Sequence, residues 1–267
     1  MYKKIALLAL LAFSLNSFAE TTAFQKAING SHRSAEHKAR DIYRHPEKTL
    51  EFFDLQPNMT VVEIWPGGQA WYTEILAPYL KDQGKLYAAH FGENSAIPYF
   101  AKSLAQFKQK IAAAPAVYGK VITTTLDTSG QLKIAPDNTA DRILTFRNVH
   151  NWMKSGQTEQ TFKSMYQALK PSGILGVVEH RNPDSTKQDP AALTGYVTEA
   201  YIIQLAEQVG FKLIDKSEIN ANPKDTHTHP QGVWSLPPSL KGSETNKTQF
   251  IAIGESDRMT LKFIKPE

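Results

Sequence analysis

Cysteine is absent from the 267 residues. That alone excludes a disulfide framework, a thiolate metal site and a cysteine nucleophile. No apolar run is long enough to cross a bilayer. The most apolar stretch, Ile5 to Leu15, has eleven residues, against the roughly 20 that a spanning helix requires. Charge of one sign is not in large excess, with 30 Lys and Arg against 26 Asp and Glu. There is no basic run and no basic patch interleaved with aromatics, so nothing points to nucleic acid as a partner. Internal repeats are missing as well, which sets aside solenoid architectures.

The features that are present begin with an export pattern. Lys3 and Lys4 precede the apolar run, and Ser17-Phe18-Ala19 fits a small-x-small cleavage site before Glu20. This is the layout of a cleavable signal peptide over residues 1–19, so the chain is expected to be periplasmic or secreted, with no stable membrane insertion after cleavage. Cleavage removes two of the 30 basic residues and leaves 28 against 26 acidic ones, a net charge of +2 with His neutral. Hydrophobic residues make up 41% and aromatics 10%, enough for residues 20–267 to form one domain around a sizeable core.

The segment from Thr60 to Lys81 organises that domain. Val61, Val62 and Ile64 form a β-branched run that reads as a buried strand. Pro66, Gly67 and Gly68 break it, and Trp71, Ile75, Leu76, Tyr79 and Leu80 then fall on one side of a helical repeat. Strand, glycine turn and helix form the first unit of a nucleotide-binding α/β fold, in which backbone amides can approach a ligand closely.

Before it, Ser34 is placed to cap a helix over Ala35–Tyr43. Pro46 suits the first turn of a second helix that turns Leu50, Phe53 and Leu55 to the core. Arg33, Arg40 and Arg44 on this extension (residues 31–55) read as a solvated face, with a lid over a ligand pocket as the alternative.

After it, strands are expected over Lys85–Phe91, Val117–Thr125, Thr139–Phe146, Ile174–Val178, Phe211–Ile219 and Arg258–Ile264. Helices are expected over Ile97–Ala114, Thr158–Leu169 and Thr194–Val209, the last capped by Gly210. Alternating strands and helices imply a doubly wound, mostly parallel sheet covered on both faces. Residues 220–247 are long, polar and Pro-rich, a length that marks a functional or disordered connection.

Four segments, VVEIWPGGQAWYTEILAPYL, DRILTFRNVHNW, ALKPSGILGVVEHR and AEQVGFKLIDKSEI, resemble in order and spacing the class I S-adenosylmethionine-dependent methyltransferases. SHRSAEHKARDIYRHPEKTLEFF at the front, with EINANPKDTHTHPQGVWSLPPSL and IGESDRMTLKFIKP at the back, resembles one branch more closely, a family of exported methyltransferase-like bacterial proteins. The resemblance runs from about Ser31 to Pro266. It implies a Rossmann-like, seven-stranded, mostly parallel sheet whose last strand, Arg258 to Ile264, is antiparallel. It further implies S-adenosylmethionine as nominal cofactor and transfer of its methyl group to a small-molecule substrate. A binding protein, or another enzyme, on a methyltransferase scaffold with an altered cofactor site is the competing expectation.

In methyltransferases of this class the first strand ends in an acidic residue and a Gly-x-Gly-x-Gly turn. Glu63 stands at the acidic position here, and Trp65, Gly67 and Gln69 occupy the three glycine slots. The resemblance suggests that Glu63, Trp65, Gly67 and Gly68 line a cofactor site. The second strand should end in a carboxylate that chelates ribose hydroxyls, but His90 stands there, with Glu93 three residues on.

The fourth strand delivers Arg147, Asn148, His150, Asn151 and Trp152 to the carboxyl edge of the sheet, where ligands of open α/β folds sit. Arg147 is a candidate cofactor contact. Asn148 and His150 are candidates for catalysis, with His150 as general base. Glu179, next to His180 and Arg181 at the end of the fifth strand, is placed to orient a histidine, to act as a base or to seal an ion pair. His227 and His229, in DTHTHP, would need His150 or His180 beside them to bind zinc. Tyr196 and Trp234 are candidate pocket walls.

Overall fold

The structure is a computed structural model that describes residues 22–127, 132–242 and 244–267; the expected signal segment, residues 1–19, lies outside the described residues. One sheet runs through it: β1 (Thr60–Ile64), β2 (Lys85–His90), β3 (Ile122–Thr125), β4 (Ala140–Phe146), β5 (Leu169–Asn182), β6 (Val197–Thr198), β7 (Lys212–Ser217) and β8 (Arg258–Ile264). The order is β3-β2-β1-β4-β5-β8-β7, and β6 pairs with the far end of β5. Strands β1 to β5 pair in parallel, and β8 runs antiparallel between β5 and β7. The expected seven strands are therefore present. The eighth, β6, is a two-residue addition.

Apolar runs rather than alternation mark the central strands because both faces of the sheet are covered. Successive residues of β1 point to opposite sides: Val61 joins a core with Leu50, Phe53, Ile75 and Leu76, while Val62 joins one with Ile143, Phe162, Leu175 and Ile202. The first core is closed by α1 (Ala23–Asn29), α4 (Pro46–Phe52) and α5 (Thr73–Leu80), while α2 (Ala35–Ala39) and α3 (Asp41–Arg44) link α1 to α4. Next in the chain come α6 (Pro98–Ala113), α7 (Pro115–Tyr118), α8 (Val149–Ser155), α9 (Thr158–Ala168), α10 (Glu199–Val209) and α11 (Lys247–Ile253).

Four expectations shift at element ends. Strand β5, expected over Ile174–Val178, starts at Leu169 and runs to Asn182. Pro115 does not lead into a strand but starts the single turn α7, so β3 begins only at Ile122. Proline at the first helical position loses no hydrogen bond and has the right φ. Helix α10 starts at Glu199, not Thr194, because the Thr198 hydroxyl accepts the Tyr201 amide as an N-cap while Val197 and Thr198 pair with β5. Ser34 caps α2 as expected, through the His37 amide at 3.1 Å, but the helix is divided in two at Arg40.

The solvated face expected for the extension does not exist. Arg33 and Arg44 are 3% and 2% exposed. Arg33 forks onto Asp41 at 2.8 and 2.9 Å, Arg44 reaches Glu255 at 3.2 Å, and both lie over the Trp71 ring. A planar guanidinium suits such buried, stacked positions.

The 220–247 segment is tied down rather than loose. Asn220 donates to Thr49 and Thr260, and Asn222 donates to the carbonyls of Ile253 and Glu255. Asp225 accepts from the Tyr196 hydroxyl and from the amides of His227 and Asp257, all at 2.8–2.9 Å, and pairs with His229 at 2.9 Å. Among the described residues no helix is long and apolar enough to cross a membrane.

Candidate functional site

A cavity of about 540 Å³ opens over the carboxyl ends of β1, β4 and β5, beside the start of β8. This is the crevice outside the strand ends, at the β1/β4 switch point, where open α/β sheets bind ligands. The segment after β7 closes it: Val233, Trp234, Pro237, Pro238 and Ser239 form one wall.

The turn after β4 supplies the polar side. Arg147 sits at the cavity with φ +63, a left-handed conformation that side chains with a Cβ rarely adopt. Burial, and then the charge of Arg258, pull its pKa down to about 10. Asn148 lines the cavity, but its amide is committed to the fold, donating to the Ile64 carbonyl at 2.9 Å and to Thr145 at 3.2 Å. It pins β4 to β1. His150 is 6% exposed in the first turn of α8, and its Nδ1 lies 3.1 Å from Glu179 Oε1. Glu179, fully buried behind it, accepts the Val149 amide at 2.6 Å and the His180 amide at 2.8 Å. With Nδ1 facing the carboxylate, Nε2 is the nitrogen left for the cavity, the arrangement of an oriented general base.

His180 faces His150 with ring centroids 5.4 Å apart, and its Nδ1 is 2.5 Å from the Ser256 hydroxyl. Burial, then His150 and three arginines, press its pKa well below the usual value, so the ring is neutral at pH 7.

The glycine turn is divided in its roles. Trp65, Pro66 and Gly67 line the cavity. Gly67 has φ +71 and open space where a side chain would begin. Gly68 instead lets α6 approach: a Cβ there would meet Gln106 at 2.5 Å and the Ser103 carbonyl at 3.2 Å. Glu63 and His90, expected at the cofactor, do not reach the cavity. Glu63 is 2% exposed and accepts the Thr73 hydroxyl at 2.6 Å, with burial raising its pKa to about 8. His90 is fully buried, its Nδ1 accepts the Phe91 amide at 2.8 Å, and burial lowers its pKa to about 4. Exposed Glu93 pairs with Lys108 instead.

Arg258, Ser256 and Phe146 line the cavity without having been singled out from the sequence. The available signal was the charged run Glu255-Ser256-Asp257-Arg258 at the mouth of a strand, where polar residues gather at ligand edges. Trp234 lies against His150 at 5.9 Å. Tyr196 spends its hydroxyl on Asp225 and is not part of the cavity wall.

No family model matches the chain, and no curated protein matches it in sequence. Solved structures do match in fold. A SAM dependent methyltransferase from Aquifex aeolicus superimposes with a TM-score of 0.57 at 15% identity, covering 85% of this chain and 93% of that one. The [4+2]-cyclase SpnF gives 0.57 at 14% identity, covering 89% and 86%. CrArsM, an arsenic (III) S-adenosylmethionine methyltransferase from Chlamydomonas reinhardtii, gives 0.51 at 13%, covering 93% and 75%. The chain has the class I methyltransferase fold. At these identities the likeness extends to the fold and no further.

That fold brings S-adenosylmethionine into question, and the residues present do not fit its adenosyl half. The backbone of Trp65 has φ +48, which turns the indole into the crevice between the ends of β1, β2 and β3. There the ring is 7% exposed, donates Nε1–H to the Leu126 carbonyl at 2.7 Å and packs on Phe91, Phe100 and Trp152 at 4.5–5.7 Å. The indole fills the crevice beside the glycine turn with a side chain of the protein itself. His90 ends β2 where the resemblance calls for a carboxylate, and a nearby acid is Asp127, packed against Gly92 from the segment after β3.

Metal ligation divides similarly. His227 and His229 are directed to separate carboxylates, Asp257 and Asp225, and neither joins His150 or His180 in the arrangement that zinc would need. Among the described residues the group close enough to surround an ion is His150, Glu179 and His180, with ligand atoms within 4.8 Å. Glu179 is already saturated by backbone amides, and Arg147 and Arg258 add positive charge nearby. Both features disfavour a cation.

Proposed function

We propose that the chain is an enzyme acting on a small molecule in this cavity, with His150 as proton acceptor and Glu179 as the carboxylate that orients it. One observation carries the reading. A fully buried carboxylate, fixed by backbone amides, lies 3.1 Å from Nδ1 of a histidine on the cavity wall. A base held this way contributes on the order of 10²–10⁴ to a rate. Native mass spectrometry of the purified protein would identify the molecule that travels with it. Wild type should convert that molecule, and His150→Gln should lose roughly 10²-fold or more in kcat. Equal turnover by the two would refute the role.

A second reading is methyl transfer from S-adenosylmethionine to an unknown small molecule, favoured by the strand order and by Gly67 on the cavity wall. It requires Trp65 to leave its crevice. Calorimetry with S-adenosylhomocysteine tests it, since no heat at millimolar concentration excludes it. Export, read from Lys3, Lys4 and the apolar run before Ala19, supports the first reading, because S-adenosylmethionine is made in the cytoplasm. Cell fractionation checks the compartment.

A further inference from the structure

Four arginines converge on one carboxylate beneath the cavity. Glu255, 2% exposed, accepts from Arg40 Nε at 2.6 Å, from Arg44 Nε at 3.2 Å and from Arg258. Arg147 belongs to the same cluster, because its charge is felt by both Arg44 and Glu255. Four positive groups against one negative leave a net +3 in a largely buried volume. The neighbouring acids are already engaged: Asp41 with Arg33, Asp257 with Arg181, and Glu179 with backbone amides and His150.

Uncompensated buried charge is expensive, and the donors here are incompletely used. Arg40 Nη2, Arg44 Nη1 and Arg258 Nε are buried with no hydrogen-bond partner among the described residues. Arg147 meets no acceptor among the described residues either, and its guanidinium carries five donors. Arg147 and Arg258 both line the cavity, while no described Asp or Glu does. Aromatic rings of Trp65, Phe91, Phe100 and Phe146 also line the cavity.

We propose that the cavity binds a small molecule by an anionic group, a carboxylate or a phosphate, received by Arg147 with Arg258 behind it, and that the molecule's apolar body lies along the aromatic rings. The guanidinium fork matches both anions in geometry. The proposal names the substrate class for the enzymatic reading above and rests on the same cavity, but not on the chemistry of His150.

The test is calorimetry on the purified protein with phenyl phosphate, benzoate and, as neutral comparison, benzyl alcohol. At least one anion should bind saturably, weaken with added salt, and lose about tenfold to hundredfold in affinity in Arg147→Gln. Whichever anion binds more tightly identifies the group. Should Arg147→Gln fail to fold by circular dichroism, Arg147→Lys carries the comparison, since it keeps the charge and loses the fork. Unchanged turnover in His150→Gln, with anion binding and its dependence on Arg147 intact, refutes only the catalytic role. Binding of neither anion, equal binding of benzyl alcohol, or an unchanged affinity in the Arg147 variants overturns the proposal.

Discussion

Trp65 is the residue on which the cofactor question turns. A large side chain at positive φ is strained by about 1–3 kcal/mol, and here the strain is offset by an indole buried among three aromatic rings. Trp65→Ala should destabilise the protein by about 3–5 kcal/mol, the usual cost of emptying a buried aromatic site, as read by urea unfolding. It should also open the crevice, so S-adenosylhomocysteine or adenosine should bind the variant more tightly than wild type in calorimetry.

Glu63 makes a second prediction at this scale, through pH. Its folded pKa of about 8 lies above the ordinary value of 4.5. Below pH 4.5 the carboxyl is protonated folded and unfolded, and its stabilising contribution is fully present. As pH rises towards 8 the unfolded chain releases the proton and the folded one does not, so stability falls. Glu63→Gln should remove that loss. The variant's advantage in thermal stability should grow between pH 4.5 and 8, and a constant difference across the range would contradict the burial of an acid there. His90 acts with the opposite sign: its lowered folded pKa makes its contribution complete above pH 6.5 and lost as pH falls towards 4.

At the scale of elements, the long segment after β7 is a cavity wall held by one carboxylate. Asp225 is buried and joins Tyr196, His227, His229 and the Asp257 amide. Asp225→Ala leaves those groups without an acceptor, each costing about 1–3 kcal/mol when buried. Hydrogen exchange should then rise across residues 225–240, and ligand binding should weaken although no cavity-lining side chain has changed. The glycine turn shows how far local pattern reaches. Pro66-Gly67-Gly68 correctly marks a strand-to-helix reversal, but only packing separates Gly67, facing open space, from Gly68, pressed against α6.

For the molecule as a whole, Glu255 joins the two ends of the chain. Its partners Arg40 and Arg44 lie 215 and 211 residues away. Burial alone would raise its pKa, but Arg258, Arg44, Arg40 and Arg147 outweigh it and hold the carboxyl well below the usual carboxylate range. Its contribution is therefore present above pH 4.5 and lost as pH falls through the folded value. Glu255→Gln strips four guanidiniums of their one counter-charge and should cost about 3–5 kcal/mol, the penalty for breaking a buried pair. The same loss should tighten binding of phenyl phosphate, since the repulsion of a negative neighbour is gone; calorimetry on the folded fraction reads it.

Element order was legible from the chain alone because period and punctuation are local properties. Val61-Val62-x-Ile64, Ile174 to Val178 and the ridge of α10 announce two buried strands and an amphipathic helix, though β5 and α10 have limits four or five residues from those expected. The strand-end candidates Arg147, Asn148 and His150 were legible for the same reason: a parallel strand delivers the residues after it to the carboxyl edge. The direction of each side chain was not. Glu63 and His90 stand at the expected positions and turn into the core, and Trp65 turns into the crevice itself. Arg40 and Arg44 looked like surface charge, because nothing in either terminal segment shows that Glu255 will meet them. Folding brings together groups more than 200 residues apart, and the low dielectric between them makes their charge matter.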